Sequence, residues 1–129
     1  MQEHGSFELK VKNKTLISTL FGAWNYETTI RYSKECKQLV DNLTDEPWGS
    51  LVDFTEWELA TPDILEVVDE LNAWASINNL KYEVVICSLS LQQQLMEQYQ
   101  ESFTGVETKF VKNLEQAYEW LKSMGVLKI

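Results

Sequence analysis

The chain has 129 residues and a mass of 15.0 kDa, and 44% of its residues are hydrophobic while 24% are charged. These values are typical of one folded domain, residues 1–129, because a chain of this length buries roughly two thirds of the surface that its unfolded form exposes. The formal net charge of −9 repels phosphate backbones and anionic lipid, so nucleic acids and membrane surfaces are excluded as first-choice partners.

The first part of the chain predicts a β-hairpin. Phe7, Leu9 and Val11 alternate with charged residues, and this period of two is typical of a half-buried strand. Asn13-Lys14 supplies a turn, and the more apolar stretch 15–21 predicts a second strand that ends at Gly22. We therefore expect two neighbouring antiparallel strands.

A long helix is predicted after the hairpin. Asn25 is its predicted N-cap, and the helix stops at the segment 44–47, which ends in proline. Near-helical spacing predicts that its inward-facing residues are Tyr26, Ile30, Cys36, Val40 and Leu43.

Three further strand–helix units complete the pattern. Strands are predicted at 50–54, 82–87 and 106–111, and helix starts at Thr61-Pro62, Ser90 and Asn113, each with a capping side chain. The predicted inward positions of these helices are Ile64, Val67, Val68, Leu71 and Ala75, then Leu91, Leu95, Met96 and Tyr99, then Ala117, Leu121 and Met124. The order ββαβαβαβα predicts an α/β fold with a mostly parallel sheet and an antiparallel first strand at one edge.

The sequence favours the cytoplasm. No stretch approaches the roughly 18 apolar residues that cross a bilayer, and the first residues lack the pattern of a secretory signal. Cys36 and Cys87 have none of the close spacing of a metal or redox motif. We expect two buried free thiols.

The residue types of common catalytic centres are scarce. The lone histidine, His4, lies in what should be a frayed terminus, and the scattered glycines form no phosphate-binding loop. A carboxylate enzyme built on Asp53 and Glu56 would lack an identifiable second catalytic group. We therefore predict no catalytic residue, no metal site and no cofactor.

The residues that follow the predicted strands are candidate site residues, since open parallel sheets bind ligands beyond the carboxyl ends of their strands. Trp24 and Trp57 could either line an apolar pocket at this edge or close the core. Several hydroxyl groups lie near predicted helix starts, where the helix dipole would favour an added phosphate. A capping role explains the presence of Thr61 and Ser90 equally well. The candidates are Trp24, Asp53, Thr55, Trp57, Thr61, Ser88 and Ser90.

Acidic residues are concentrated in the middle of the chain. The segment 38–80 holds no basic residue but ten acids: Asp41, Asp45, Glu46, Asp53, Glu56, Glu58, Asp63, Glu66, Asp69 and Glu70. Such a block is typical of a solvated face, and it also fits a docking surface for a basic partner. On the second predicted helix the candidate docking residues are Glu66, Asp69 and Glu70.

The element order, together with Leu51-Val52-Asp53-Phe54, resembles the STAS domains of sulfate transporters and anti-sigma factor antagonists. The chain is more similar to the uncharacterised bacterial SpoIIAA-like proteins, which share this fold and are grouped with Sec14-like lipid-binding modules. The resemblance covers about 5–125 and rests on the segments 57–62, 103–104 and 115–121. It implies the fold, a non-enzymatic role, and a recognition surface around Trp57 and Thr61.

One functional segment of the resembling family is missing here. Its anti-sigma factor antagonists carry Asp-Ser-Ser/Thr-Gly at the start of the second helix, where a partner kinase phosphorylates a serine. The corresponding residues are Ala60-Thr61-Pro62-Asp63, and none matches that serine in context. The phosphorylation switch is therefore not transferred.

The leading interpretation is a protein-interaction module that docks another protein, or a second copy of itself, through the acidic second-helix region. The alternative is a binder of a small apolar or lipid-like ligand, for which Trp24, Trp57 and the Sec14-like grouping argue.

Overall fold

The computed structural model describes residues 2–128, so the two ends of the predicted domain, Met1 and Ile129, lie outside the described residues. The strands are β1 (Ser6–Lys12), β2 (Thr15–Trp24), β3 (Trp48–Ala60), β4 (Leu80–Ile86) and β5 (Glu107–Val111). The helices are α1 (Tyr26–Leu39), α2 (Ile64–Ile77), α3 (Ser90–Tyr99) and α4 (Leu114–Ser123). Short 3₁₀ helices follow α1 and α3, at Asp41–Leu43 and Gln100–Ser102. The predicted α/β order ββαβαβαβα is confirmed.

All five strands form one sheet in the order β1-β2-β3-β4-β5. β1 pairs with β2 antiparallel, and every other pair is parallel, which confirms the antiparallel first strand at one edge. The hairpin turn places Asn13 at a φ of 54°, a left-handed conformation that asparagine tolerates better than most residues.

The sheet buries a different set of side chains on each face, because successive residues of a strand point to opposite sides. On one face, Ile17, Leu51 and Val84 pack with Leu121 of α4. On the other face, Leu20, Val52 and Val85 belong to clusters that include residues of α1, α2 and α3. The three central strands therefore lie between one helix and a layer of three.

Two of the predicted N-caps are confirmed. The side-chain oxygen of Asn25 accepts a hydrogen bond from the Thr28 N–H at 3.2 Å, and that of Asn113 accepts one from the Gln116 N–H at 2.9 Å. The Thr61 and Ser90 caps are wrong. α2 begins only at Ile64, with the Thr61 carbonyl accepting from the Ile64 N–H, and Ser90 is the first helical residue of α3.

Three positions that were expected to face the core are exposed instead. On α1, Tyr26 is 41% and Ile30 43% exposed, and Leu91 of α3 is 63% exposed. Helical spacing places a residue on a face of the helix, but only the docking angle decides how much of that face is covered.

The segment before β1 is fixed in place, so the expectation of a frayed terminus around His4 is wrong. The Thr28 hydroxyl donates to the His4 carbonyl at 2.7 Å, and the Asn25 side-chain amide donates to the Gln2 carbonyl at 2.8 Å. Arg31 also pairs with Glu3 at 2.9 Å. The start of α1 thus holds residues 2–4.

None of the helices within residues 2–128 combines the length and the apolar character that crossing a membrane requires. Cys36 and Cys87 are buried free thiols, as expected.

Gly49 gives a direct test of how α4 packs on β3. A Cβ at this position would lie 2.7 Å from Val126 Cγ2, closer than real Cβ atoms approach, and 3.2 Å from Leu121 Cδ2, tighter than most such contacts. We expect Gly49→Ala to lower the free energy of unfolding by roughly 1–3 kcal/mol in urea denaturation. Combining it with Val126→Ala should cost less than the sum of the two single changes, and strict additivity would contradict this packing.

Candidate functional site

The candidate site is built around the second half of β3, which extends past its neighbour β4. Pairing with β4 stops at Asp53 opposite Ile86, whereas pairing with β2 continues to Ala60 opposite Trp24. The prediction that the strand ends at Phe54 is therefore wrong. Residues up to Ala60 are an extension of the strand and not a loop.

A bulge in this extension decides where Trp57 points. Asp53 pairs with Thr19 and Glu56 pairs with Phe21, so β3 carries one residue more than β2 over this interval. An extra residue reverses the alternation of side chains beyond it. Phe54 and Trp57, three positions apart, consequently face the same side of the sheet, with ring centroids 4.4 Å apart.

Gln92 of α3 covers the edge of β3 that β4 leaves free. Its side-chain Nε2 donates to the carbonyl oxygens of Phe54 at 3.1 Å and Thr55 at 3.3 Å, and lies 3.4 Å from that of Trp57. Its Oε1 accepts from the backbone N–H groups of Ser88 and Leu89. One buried amide thereby joins the strand extension to the start of α3.

An apolar cavity of about 90 Å³ lies between this face of the sheet and the helices. Its walls include four of the five tryptophans, Trp24, Trp48, Trp57 and Trp74, together with residues of β4, α1, α2 and α3. Trp24 and Trp57 are each only 4% exposed, so both are core residues that also form part of the cavity wall.

Trp24 is held by its neighbours on β1 and α1. Its indole Nε1 donates to the Phe21 carbonyl at 3.1 Å and lies 3.2 Å from that of Ser6. Its ring meets that of Tyr32 edge-on at 5.1 Å. The tryptophan therefore has a satisfied polar atom and a fixed orientation toward the cavity.

A carboxyl group lines one part of this apolar cavity. Glu83 of β4 is 6% exposed, and it pairs in register with Ser50 of β3. The Ser50 hydroxyl donates to Glu83 Oε1 at 3.1 Å, and Gln100 Nε2 donates to Glu83 Oε2 at 2.8 Å. These three side chains are called the polar cluster below.

Burial changes the protonation of this region. It raises the pKa of Glu83 from 4.5 to about 7, against the opposing effect of the Gln100 and Ser50 hydrogen bonds. Burial likewise raises the pKa of the Cys36 thiol to about 12 and that of Tyr32 well above its usual range. Glu83 is thus the buried group here that exchanges a proton near neutral pH.

The predicted polar residues of β3 are engaged with one another. Asp53 Oδ1 accepts from the Thr55 backbone N–H at 3.1 Å and from the Thr55 hydroxyl at 2.7 Å. Asp53 follows Leu51 on the α4 face of the sheet by strand alternation, away from the cavity. The structure therefore does not bring Asp53 and Thr55 together with the two tryptophans.

The remaining predicted hydroxyl residues, Thr61, Ser88 and Ser90, are exposed at the carboxyl edge of the sheet. Thr61 donates its hydroxyl to the carboxylate of Asp63 and its backbone N–H to the Trp24 carbonyl at 3.2 Å. None of the three lines the cavity.

The acidic candidates of α2 lie on its outer surface. Glu66, Asp69 and Glu70 are exposed. Lys37 Nζ of α1 forms an ion pair with Glu70 Oε1 at 2.7 Å. Among residues 2–128, only Glu70 and Glu46 of the ten acids in the segment 38–80 form an ion pair. On α2, Glu66 and Asp69 therefore carry exposed negative charge without an ion-pair partner among these residues.

Glu83 and Gln92 were not among the sequence candidates. Glu83 had a readable signal, since it is the one charged residue inside the otherwise apolar stretch 82–87, where the sequence predicts a central strand. Gln92 had none, because its role depends on where β3 extends in space.

The fold places the chain in the SpoIIAA-like class of α/β structures, as the resemblance implied. An uncharacterised protein of the DUF3478 family with a SpoIIAA-like fold, from Shewanella loihica PV-4, superposes with a TM-score of 0.73 at 17% sequence identity, covering 94% of this chain and 96% of that one. No family model and no curated protein matches the sequence.

Two anti-sigma factor antagonists are also similar in structure. SpoIIAA in its unphosphorylated form has a TM-score of 0.60 at 12% identity, covering 93% of this chain and 98% of that one. An anti-sigma factor antagonist from Mycobacterium paratuberculosis has a TM-score of 0.60 at 10% identity, covering 92% of this chain and 94% of that one. At these identities the likeness establishes the fold.

Replacing Gln92 tests the bridge between β3 and α3. Gln92→Glu keeps the shape of the side chain but removes the Nε2 donor and sets a carboxylate against carbonyl oxygens. We expect a loss of roughly 2–3 kcal/mol in the free energy of unfolding, measured in urea. Gln93→Glu, at the exposed neighbouring position, should change it by less than about 0.5 kcal/mol, and equal effects of the two would refute the bridge.

Replacing Glu83 tests its protonation. The folded protein keeps the Glu83 proton up to about pH 7, whereas the unfolded chain releases it near 4.5, so this group's contribution to stability falls as pH rises between the two values. We expect the free energy of unfolding of Glu83→Gln, relative to that of wild type, to rise by roughly 2–3 kcal/mol as the pH goes from 5 to 8.

The comparison variant is Glu107→Gln on the exposed edge strand, which makes the same change of net charge but removes a carboxyl from the surface. If the free energies of unfolding of Glu83→Gln and wild type run parallel with pH, the raised pKa of Glu83 is refuted.

Proposed function

We propose that this protein is a non-enzymatic, cytoplasmic regulatory module that docks a basic protein partner through the acidic surface of α2. The observation that carries the proposal is the exposed, unneutralised charge of Glu66 and Asp69. Its fold likeness to two anti-sigma factor antagonists supports a role in protein recognition.

The opposite side of α2 explains why its outer face is free to bind. Ile64, Val67 and Ala75 are buried against the sheet and line the cavity, so they fix the helix in place. Glu66 and Asp69 point away from that layer. A rigid helix with one packed face and one charged face presents its charges without reorganisation, which favours fast and selective association.

Exposed apolar side chains lie at the same edge of the sheet. Leu89 and Leu91, at the start of α3, are 61% and 63% exposed. α2 and α3 both begin beyond the carboxyl ends of neighbouring parallel strands, so the two leucines lie at the same edge of the sheet as the start of α2. Apolar contacts beside a charged rim are the usual composition of a protein interface.

The sign of the charge selects the kind of partner. A symmetric dimer through this surface would set Glu66 and Asp69 against their own copies, and like charges in contact oppose binding. A second protein with a basic surface fits better than a second copy of this chain.

The start of α2 argues against control by phosphorylation at Thr61. Its hydroxyl already donates to the Asp63 carboxylate, so an added phosphate would adjoin a negative charge. Regulation through partner availability requires no such modification.

Charge reversal on α2 tests the docking surface. We expect Glu66→Lys combined with Asp69→Lys to weaken binding to partners that copurify with the wild-type protein from its host by at least about tenfold. Affinity for each partner, once identified by mass spectrometry, is measured by calorimetry with both proteins purified.

The matched control is Glu115→Lys combined with Glu119→Lys on α4, beyond the opposite face of the sheet. Each pair takes the net charge from −9 to −5, since two acids become two lysines. Equal losses in both variants would mean that net charge matters and that α2 is not the docking surface.

A second candidate function is the binding of a small apolar ligand, and the cavity lined by Trp24 and Trp57 supports it. Its volume of about 90 Å³ is well below the ~300–1,000 Å³ of pockets for drug-sized ligands, so a phospholipid does not fit without opening of the fold. The ligand would be a small molecule.

Intrinsic fluorescence tests this candidate, because four of the five tryptophans line the cavity. We expect a saturable change in the emission of Trp120→Phe, which lacks the one tryptophan on the α4 face, on titration with small aromatic hydrocarbons. Ala75→Leu, which fills part of the cavity, should abolish the change. A flat response of the unfilled protein would refute the candidate.

A further inference from the structure

The polar cluster is unusual for a cavity whose walls are otherwise mostly apolar. Strand alternation directs Val84 and Ile86 toward α4, and it directs Glu83 and Val85 to the cavity side. A buried carboxyl in this position opposes folding more than an apolar side chain of similar size would. Packing alone therefore gives no account of Glu83.

The hydrogen bonds of Glu83 leave room for a further partner. Ser50 donates to one carboxyl oxygen and Gln100 donates to the other. Above about pH 7 Glu83 is ionised, and a carboxylate accepts about four hydrogen bonds in all, so each oxygen then keeps acceptor capacity. Because Glu83 is part of the cavity wall, a molecule inside the cavity can reach it.

We propose that the cavity binds a small, neutral, mostly aromatic or aliphatic molecule that carries one hydroxyl or N–H group, and that this group donates a hydrogen bond to Glu83. The inference rests on the second candidate function and adds the chemical class of the ligand.

The charge of Glu83 and the size of the cavity narrow the chemical class of the ligand. An anionic ligand would be repelled by the carboxylate, and a cation would bring a second charge into an apolar layer. The volume of about 90 Å³ is several times the ~10–15 Å³ that one water molecule needs, so it suits one ring with a substituent.

Phenol and toluene form the decisive pair of probes, because they have nearly the same shape and phenol carries a hydroxyl group where toluene carries a methyl group. In a purely apolar cavity the phenol hydroxyl would lose its water without replacement, which favours toluene. At pH 8, where Glu83 is ionised, the wild-type protein should bind phenol within tenfold of toluene or more tightly, measured by calorimetry and by tryptophan fluorescence.

Glu83→Met removes the acceptor and keeps the approximate volume. We expect it to shift the ratio of phenol affinity to toluene affinity by at least about tenfold toward toluene. The ratio is internal to each protein, so a general loss of stability cancels. Glu107→Met on the exposed edge strand is the matched control and should leave the ratio unchanged.

The outcomes distinguish the Glu83 inference from the second candidate function, the binding of a small apolar ligand. If toluene binds wild type more than tenfold tighter than phenol, or if Glu83→Met leaves the ratio unchanged, the Glu83 inference is overturned while apolar binding stands. If neither probe binds wild type, the second candidate function falls and takes the inference with it. Should Glu83→Met fail to fold, the wild-type ratio alone decides.

Discussion

The extra residue that β3 carries opposite Thr19–Phe21 of β2 is the constraint on which the site depends. It rotates Trp57 onto the same face as Phe54, and it leaves Asp53 and Thr55 to bond with each other. Without it, strict alternation would send Trp57 to the opposite face and remove a wall of the cavity. Gln92 then satisfies the carbonyl oxygens that the strand extension leaves without a β4 partner.

A second feature is that polar side chains within the apolar layer are hydrogen-bonded to one another. The Tyr32 hydroxyl donates to the Ser18 hydroxyl oxygen at 3.0 Å, while Glu83 is shared by Ser50 and Gln100. Through Gln100, the polar cluster connects β4 to the short 3₁₀ helix after α3. The Asn72 side-chain amide of α2 in turn donates to the Ser102 hydroxyl of that helix at 3.1 Å, so hydrogen bonds link β4, the 3₁₀ helix and α2.

The sequence contained enough to predict the element order, the antiparallel first strand and the caps at Asn25 and Asn113. Each of these depends on local patterns, namely period-two alternation or a side-chain acceptor two to three residues before a helical N–H. The end of β3 could not be predicted, because the chain beyond Phe54 stays extended only through pairing with β2. The exposure of Ile30 and Leu91 likewise depends on how helices dock and not on their spacing.

The candidate site was predictable in part. Trp24 and Trp57 were identified from their position at the strand ends, although the bulge that brings Trp57 inward leaves no sequence signal. Glu83 was readable as a lone charge in an apolar strand, but its hydrogen bonds come from residues 33 positions before it and 17 after it. Contacts of that separation follow from topology and not from local pattern.

The most direct test of the central claim, that this chain docks a basic protein, is native mass spectrometry of the protein purified gently from its host. The proposal predicts a complex of the 15.0 kDa chain with a second, basic protein that dissociates as ionic strength rises. Detection of the 15.0 kDa chain alone, or with only a small-molecule adduct, across low-salt preparations would contradict it.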